Sequence, residues 1–183
     1  MNGNECCIYT ERLVIRRIRF SDAREMYEYR ADRSVQKYQT WEPRSLADVE
    51  RFITENEASE FGLKDTWHQL GVFIKESGKM IGDIGIHFKG ELNTEAEIGY
   101  TISPAYQGKG YATEAVSAVI TCLFAKMGKR RITASVDPMN LRSVNLLERI
   151  GMRKEAHFRK SFLFRGEWVD DVVYGLLKEE WVR

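Results

Sequence analysis

The sequence predicts an α+β fold: a mixed, mostly antiparallel central sheet flanked by helices. Three observations carry the prediction. Strand-like runs at 68–75, 80–89 and 97–102 follow one another across short polar breaks, as in an antiparallel meander. The third run leads through a glycine-bearing turn into a long helical pattern, after which another strand-like run, 131–136, returns to the sheet. A strand reached by such a helical crossover lies parallel to the one it left, with a right-handed connection.

Taken in order, residues 8–19 read as a first strand, rich in β-branched residues and arginine. Ser21 and Asp22 can cap a helix through Met26 and Tyr29. The pattern breaks near Gln39-Thr-Trp-Glu-Pro43, and Ser45-Leu-Ala-Asp48 is a capping-box signature opening a second helix through Phe52, Ile53 and Ala58. Residues 30–64 are thus mostly helix and loop. In the meander, 76–79 and 90–94 supply the turns. The run 80–89 sets Met80, Gly82, Ile84, Ile86 and Phe88 on one side and Ile81, Asp83, Gly85 and His87 on the other. From Ala112 the apolar residues fall at helical spacing as far as Met127, with Gly128 at the end. A helix over 141–150, with Val144, Leu147 and Ile150 buried, stops at Gly151, and runs 154–164 and 168–177 pair around Arg165-Gly-Glu167. No repeat or linker divides residues 1–183, which read as one domain.

Composition narrows the function. With 43% hydrophobic and 30% charged residues over 183 positions, the chain has ordinary globular composition and length enough for a sizeable core. A formal charge of +1 gives no electrostatic case for nucleic acid or an anionic membrane. Lys129-Arg-Arg131 is a short run at a helix end, where cations are favoured. No apolar span reaches the length of a membrane helix, and Met1-Asn-Gly-Asn-Glu-Cys-Cys7 lacks the pattern of a secretory signal. Adjacent Cys6 and Cys7 with a distant Cys122 form no disulfide framework, so a reducing cytoplasm is expected. The cysteines and three histidines lack metal-ligand spacing, and no metal is expected.

The stretch from Glu97 to Glu114 concentrates the chemistry. Residues 97–102 alternate, Pro104 stops the strand, and Gly108 and Gly110 precede the helix. The first turn of a helix leaves backbone N–H groups unpaired under a positive dipole end, and glycines remove the side chains that would hold an anion away. Lys109 adds a cation. The same residues also fit an ordinary strand–helix turn. A Walker loop is excluded because Lys109 lies between the glycines, and a dinucleotide fingerprint because Thr113 holds the third glycine position.

Gln107-Gly-Lys-Gly-Tyr-Ala112 resembles the acetyl-CoA pyrophosphate loop of the GNAT superfamily of N-acetyltransferases, Gln/Arg-x-x-Gly-x-Gly/Ala. Residues 137–152 resemble that family's Asn-x-x-Ser-x-x-x-x-x-Lys/Arg-x-Gly-Phe helix. The opening Thr10-Glu-Arg-Leu-Val-Ile-Arg16 and the closing Gly166-Glu-Trp-Val-Asp170 resemble the RimJ/RimL-type branch, whose members acetylate α-amino groups of ribosomal proteins. The resemblance covers nearly the whole chain. It implies a GNAT-like sheet whose parallel strands splay apart, acetyl-CoA as cofactor and no metal. It also implies direct transfer to a primary amine in a ternary complex, with a protein N-terminus or a small amine as acceptor. A monomer or homodimer is expected. A CoA-binding regulator without turnover is the reading from another class.

Residue by residue, the resemblance implies that the N–H groups from Gly108 to Ala112, with Gln107, Lys109, Tyr111 and Thr113 beside them, hold the pyrophosphate. It assigns the strand edge at Thr101, Ile102 and Ser103, together with Asn140 and Ser143, to the pantetheine arm. Asn140 also reads as a helix cap. The attacking amine must be neutral, although alkyl amines titrate near ~10, so a base or a desolvating site helps. Glu97 shares a face with Thr101 and could reach the amine through a water, the role the resemblance also favours; it reads secondarily as a surface carboxylate paired to a cation. His87 is the runner-up base. The N–H of Ile102 could stabilise the oxyanion. Many relatives place a tyrosine acid where this chain has Leu147, which cannot donate; Ser143, one turn from Asn140, is the substitute, with Tyr106 and Tyr111 as alternatives. A thiol near ~8.5 is already a tolerable leaving group, so the acid is dispensable in principle. Trp41, Trp67, Phe61 and Trp168 are candidates to line the acceptor side or to fill the core.

Overall fold

The computed structural model describes residues 7–181, so Cys6 lies outside the described residues. Eight strands form one sheet in the order β1-β2-β3-β4-β5-β6-β8-β7. They are β1 (Cys7–Tyr9), β2 (Leu13–Arg17), β3 (Thr66–Ile74), β4 (Met80–Lys89), β5 (Glu95–Ile102), β6 (Arg131–Val136), β7 (Arg153–Phe164) and β8 (Glu167–Leu177). Every neighbouring pair is antiparallel except β5 and β6, which the crossover makes parallel. The helices are α1 (Ala23–Arg30), α2 (Arg33–Gln36), α3 (Leu46–Ala58), α4 (Tyr111–Ala125) and α5 (Leu141–Arg149). Among the described residues no helix is long and apolar enough to cross a membrane.

Several boundaries differ from the sequence expectation. The run 8–19 is two strands, because Thr10 turns the chain: its hydroxyl accepts from the Leu13 amide at 2.9 Å and its own amide bonds the Leu13 carbonyl. Asp22 makes no cap bond into α1. Its carboxylate accepts from the Arg19 amide and from Arg16, which closes a single 3₁₀ turn before the helix. The Ser45–Asp48 capping box is present at the start of α3. Helix α4 ends at Ala125, two residues short of the expected Met127, and Gly128 then takes φ +64°. Val144 is only half-buried in α5, whereas Leu147 and Ile150 are buried.

The two faces of the sheet are covered unequally, and this makes the site. On one face Ile84, Ile86, Phe88, Ala96 and Ile98 pack with Ala115, Val116, Val119 and Ile120 of α4 and with Leu146 and Leu147 of α5. On the other, Phe73 and Met80 pack with Met26 and Tyr29 of α1 and with Val49 and Ile53 of α3. Burying both faces explains why β4 is almost continuously buried despite its alternating sequence. The α1–α3 layer stops short of Trp67, Gly85 and Gly99, and a cavity opens there.

Candidate active site

Strands β5 and β6 are paired only at Glu95–Arg131, Ala96–Ile132 and Glu97–Thr133. Beyond these rungs they part, and residues 98–102 have no ladder partner on that side. The Ser103 amide bonds the Ile81 carbonyl at 2.8 Å, toward β4. Alternation along the strand therefore aims the N–H groups of Tyr100 and Ile102 at the split. A cavity of about 590 Å³ runs through it. Its lining draws on both faces of β5, with Glu97, Gly99 and Thr101 from one and Ile98 and Tyr100 from the other. Asn140, Ser143 and Leu147 of α5 line the end nearer α4; Trp41, Phe52, Trp67 and Phe162 line the end nearer α3.

At the start of α4, Gly108 (φ +74°) and Gly110 (φ +81°) take the left-handed conformation that glycine adopts without strain. Their turn leaves the amides of residues 108–113 without an acceptor among the described residues. Gln107 fixes the turn: its Nε2 donates to the Ile102 carbonyl at 2.8 Å, and its Oε1 accepts from Arg142 at 2.6 Å. From the far side Arg12 donates to the Lys109 carbonyl at 3.1 Å while paired to Glu114, whose carboxylate also takes the Thr10 hydroxyl and the Arg12 amide. Lys109 bonds the Ala105 carbonyl, and Tyr106 and Tyr111 lie beside it with centroids 6.3 Å apart. Arg12 and Arg142 were missed from the sequence, since their loop contacts span 97 and 35 positions.

Deeper in, the Tyr100 hydroxyl and Ser143 Oγ are 2.7 Å apart. Burial pushes the Tyr100 phenol up to about 12, so it is a protonated donor at neutral pH. Tyr100 was also missed, having read simply as a member of the apolar face of β5. Leu147 lines the cavity and is buried. Asn140 caps α5, its Oδ1 accepting from the Ser143 amide, which leaves its Nδ2 without an acceptor among the described residues. Thr101 Oγ1 is buried with no partner among the described residues.

On the acceptor side the Glu97 carboxylate is 2.7 Å from Lys89 Nζ, so it is an anion held by a cation at the cavity wall. His87 lies opposite Glu97 in β4, stacked on Trp67 at 5.1 Å, and is not among the lining residues. Trp41 stacks on Phe52 at 4.5 Å in the wall. Phe61 packs against His68 and Phe88 instead, and Trp168 is exposed elsewhere, so neither lines the cavity. Asp83 is fully buried behind the wall, accepting from Tyr29, Arg30 and Gln69. An aspartate in the otherwise apolar Met80–Ile86 run was the one sequence signal of that cluster.

Unpaired amides at a helix start, an open strand edge with inward N–H groups and an orphaned hydroxyl together fit a ligand with a diphosphate at one end and amides along an arm. Comparison with known proteins agrees. Residues 12–153 match the model of the acetyltransferase (GNAT) domain. The chain is 34% identical over 174 residues to the uncharacterized N-acetyltransferase YnaD of Bacillus subtilis, covering 95% of this chain and 98% of that one. It is 28% identical to the [ribosomal protein uS5]-alanine N-acetyltransferase of Escherichia coli, over 94% of this chain and 91% of that one. A crystal structure of a GNAT-family acetyltransferase from Bacillus anthracis superposes with a TM-score of 0.86 at 32% identity, over 95% of this chain and 99% of that one. The chain belongs to the GNAT family and is an acetyl-CoA-dependent acetyltransferase with RimJ/RimL-like relatives.

Proposed function

We propose that the protein acetylates the α-amino group of a protein N-terminus, of the kind ribosomal proteins present, by direct attack in a ternary complex. The observation that carries this reading is the cavity through the β5–β6 split, lined by Tyr100, Thr101, Asn140 and Ser143 on one side and by an aromatic wall with Glu97 on the other, in a fold whose next turn after β5 carries the unpaired loop amides. The carboxylates lining it already have partners within the chain. Glu97 pairs with Lys89, Asp137 accepts from the Met139 amide, Asp170 contacts His157, and Asp171 accepts from Ser135. A lysine neutralises Glu97 alone, so the wall keeps an acidic character that suits an amine acceptor. The relative of E. coli, named for an alanine of ribosomal protein uS5, supports the same acceptor class.

Acetyl-CoA supplies an acyl group activated as a thioester. The amides of residues 108–113, with Gln107, Lys109 and Thr113 around them, hold the diphosphate. The open edge is Tyr100 and Ile102, not the expected Thr101 and Ser103, whose backbone groups face β4; that edge and the Nδ2 of Asn140 meet the amides of the arm. Glu97 receives the amine proton through a water, and the N–H of Ile102 stabilises charge on the acyl oxygen. Ser143, backed by the Tyr100 phenol, donates to the departing sulfur. A reducing cytoplasm fits the three cysteines, whose spacing makes no disulfide framework.

Free-thiol release from acetyl-CoA tests this against peptides beginning with Ala or Ser, free amino acids and spermidine. Turnover of the peptides with higher kcat/KM is the expected result. Turnover of spermidine or amino acids alone would move the acceptor to small molecules. Tight CoA binding with no release for any acceptor would make the protein a regulator.

A further inference from the structure

Gly99 lies in the middle of β5, where glycine weakens a strand because it has no side chain to pack. Its φ is not in the positive range, and a Cβ built on it would meet nothing within 4 Å. Neither backbone conformation nor packing therefore requires glycine there. What remains is the need to keep the space above it clear for something that approaches the backbone closely.

The register shows what that space belongs to. Gly99 is opposite Gly85 in β4, and Gly85 is opposite Gln69 in β3. All three line the cavity. Gly99 thus leaves a bare patch of strand between the row of Trp67, His87 and Glu97 on one side and the row of Asp83 and Thr101 on the other. At the blind end stands Gln69, only 8% exposed. Its Nε2 donates to Asp83, which is also held by Tyr29 and Arg30. An ionised carboxylate only accepts, so this bond fixes which way the amide faces and turns Oε1 away from Asp83. A Cβ on Gly85 would lie 3.1 Å from Oε1 and 3.2 Å from the Trp67 ring, so that oxygen and the indole both sit over Gly85, beside the bare patch at Gly99. No donor among the described residues reaches it. An acceptor at the cavity surface, held in place by the bond from its own amide nitrogen and left without a protein donor, is positioned to read a donor on a ligand in the cavity.

We propose that the main chain of the acceptor lies over Gly99, against the Trp67 ring, and presents a hydrogen-bond donor, a peptide N–H or a hydroxyl of its first residues, to Gln69 Oε1. This rests on the reading of the cavity as the acceptor side of an acetyltransferase. Gln69 is then a specificity-determining residue, and Gly99 is bare to admit substrate. Strand spacing separates the two glycines by ~4.8 Å, so the donor that is read sits about one residue from the amine at the split.

The test uses Gly99→Ala and Gln69→Met with a peptide beginning Ser-Ala, its analogue N-methylated at the second residue's amide, and its analogue beginning Ala-Ala. Gly99→Ala should raise the peptide KM several-fold while leaving the melting temperature and the acetyl-CoA KM unchanged. Gln69→Met should raise the peptide KM roughly 3- to 10-fold, the worth of one neutral hydrogen bond. Removing the donor that is read should cost the wild type the same factor and cost Gln69→Met nothing. Sensitivity to the N-methyl group identifies the main-chain N–H, and sensitivity to loss of serine identifies the hydroxyl. The proposal is overturned if Gly99→Ala leaves the peptide KM unaltered. It is equally overturned if Gln69→Met weakens propylamine, which lacks either donor, as much as it weakens the peptides. Should the wild type acetylate no peptide, the acceptor assignment fails by itself. The patch at Gly99 is then read by quenching of tryptophan fluorescence with CoA present, where equal peptide affinity of wild type and Gly99→Ala would dismiss it.

Discussion

Replacing Gly108 with Asp, and separately with Asn, measures the anion site at the start of α4. Gly108 has φ +74°, and a Cβ there would meet nothing within 4 Å, so neither substitution clashes. Asp and Asn are the non-glycine residues that best tolerate this conformation, so their folding costs are similar and the pair differs mainly by one charge. At about 6 Å from a diphosphate and an effective dielectric near 40, each charge pair costs ~1.4 kcal/mol, and a diphosphate carries roughly two charges. Asp should therefore weaken CoA roughly 10- to 100-fold relative to Asn at low salt, with the gap narrowing as salt screens this exposed loop. Calorimetric titration with CoA and with pantetheine, which lacks the diphosphate, is the assay. Pantetheine should bind both variants alike. Equal CoA affinities for Asp and Asn, or an equal loss for pantetheine, would refute the assignment of the diphosphate to these amides.

Other consequences follow from the polar groups around the cavity. His68 is fully buried, and burial, helped by Arg17, depresses its pKa from 6.5 to about 4. The unfolded chain takes up a proton near 6.5 that the folded chain refuses, so stability is intact above pH 6.5 and falls as pH drops toward 4. The loss at pH 5 should be on the order of 2 kcal/mol, and urea melts of His68→Leu should lack that slope. Asp83→Asn strands the buried Arg30 without its counter-charge and should cost about 3–5 kcal/mol in the same melts; a loss below ~1 kcal/mol would contradict the pairing. Glu97→Gln should lower kcat roughly 100-fold at neutral pH with the acetyl-CoA KM unchanged, whereas Lys89→Met, which removes only the ion-pair partner, should retain turnover. Tyr100→Phe removes the donor behind Ser143 and should lower kcat about 10-fold; an unchanged kcat would remove the phenol from the reaction.

What could be read from sequence was local in origin. The bounds of β4, the Ser45–Asp48 capping box and the strand–loop–helix around Gly108 and Gly110 depend on neighbours within a few positions. So does the parallel placement of β6, through the handedness of one crossover. The break at Thr10 escaped because a hydroxyl, with neither glycine nor proline, makes that turn. Tyr100 with Ser143, Arg142 with Gln107, and Gln69 with Asp83 escaped for another reason. Each joins side chains from separate strands or helices, and periodicity reports which face a residue occupies, not what crosses to meet it. Asn140 shows both sides at once, since its carbonyl oxygen serves as a helix cap while its amide nitrogen faces the cavity chemistry unspent.

The most direct measurement is a titration of labelled protein with CoA, following the backbone amide resonances of Gly108, Lys109, Gly110, Tyr111, Ala112 and Thr113. Those signals should move together on binding, and pantetheine should leave them in place while shifting Tyr100 and Ile102 at the split. Saturating CoA that binds yet leaves the 108–113 amides unmoved would contradict the account at its root.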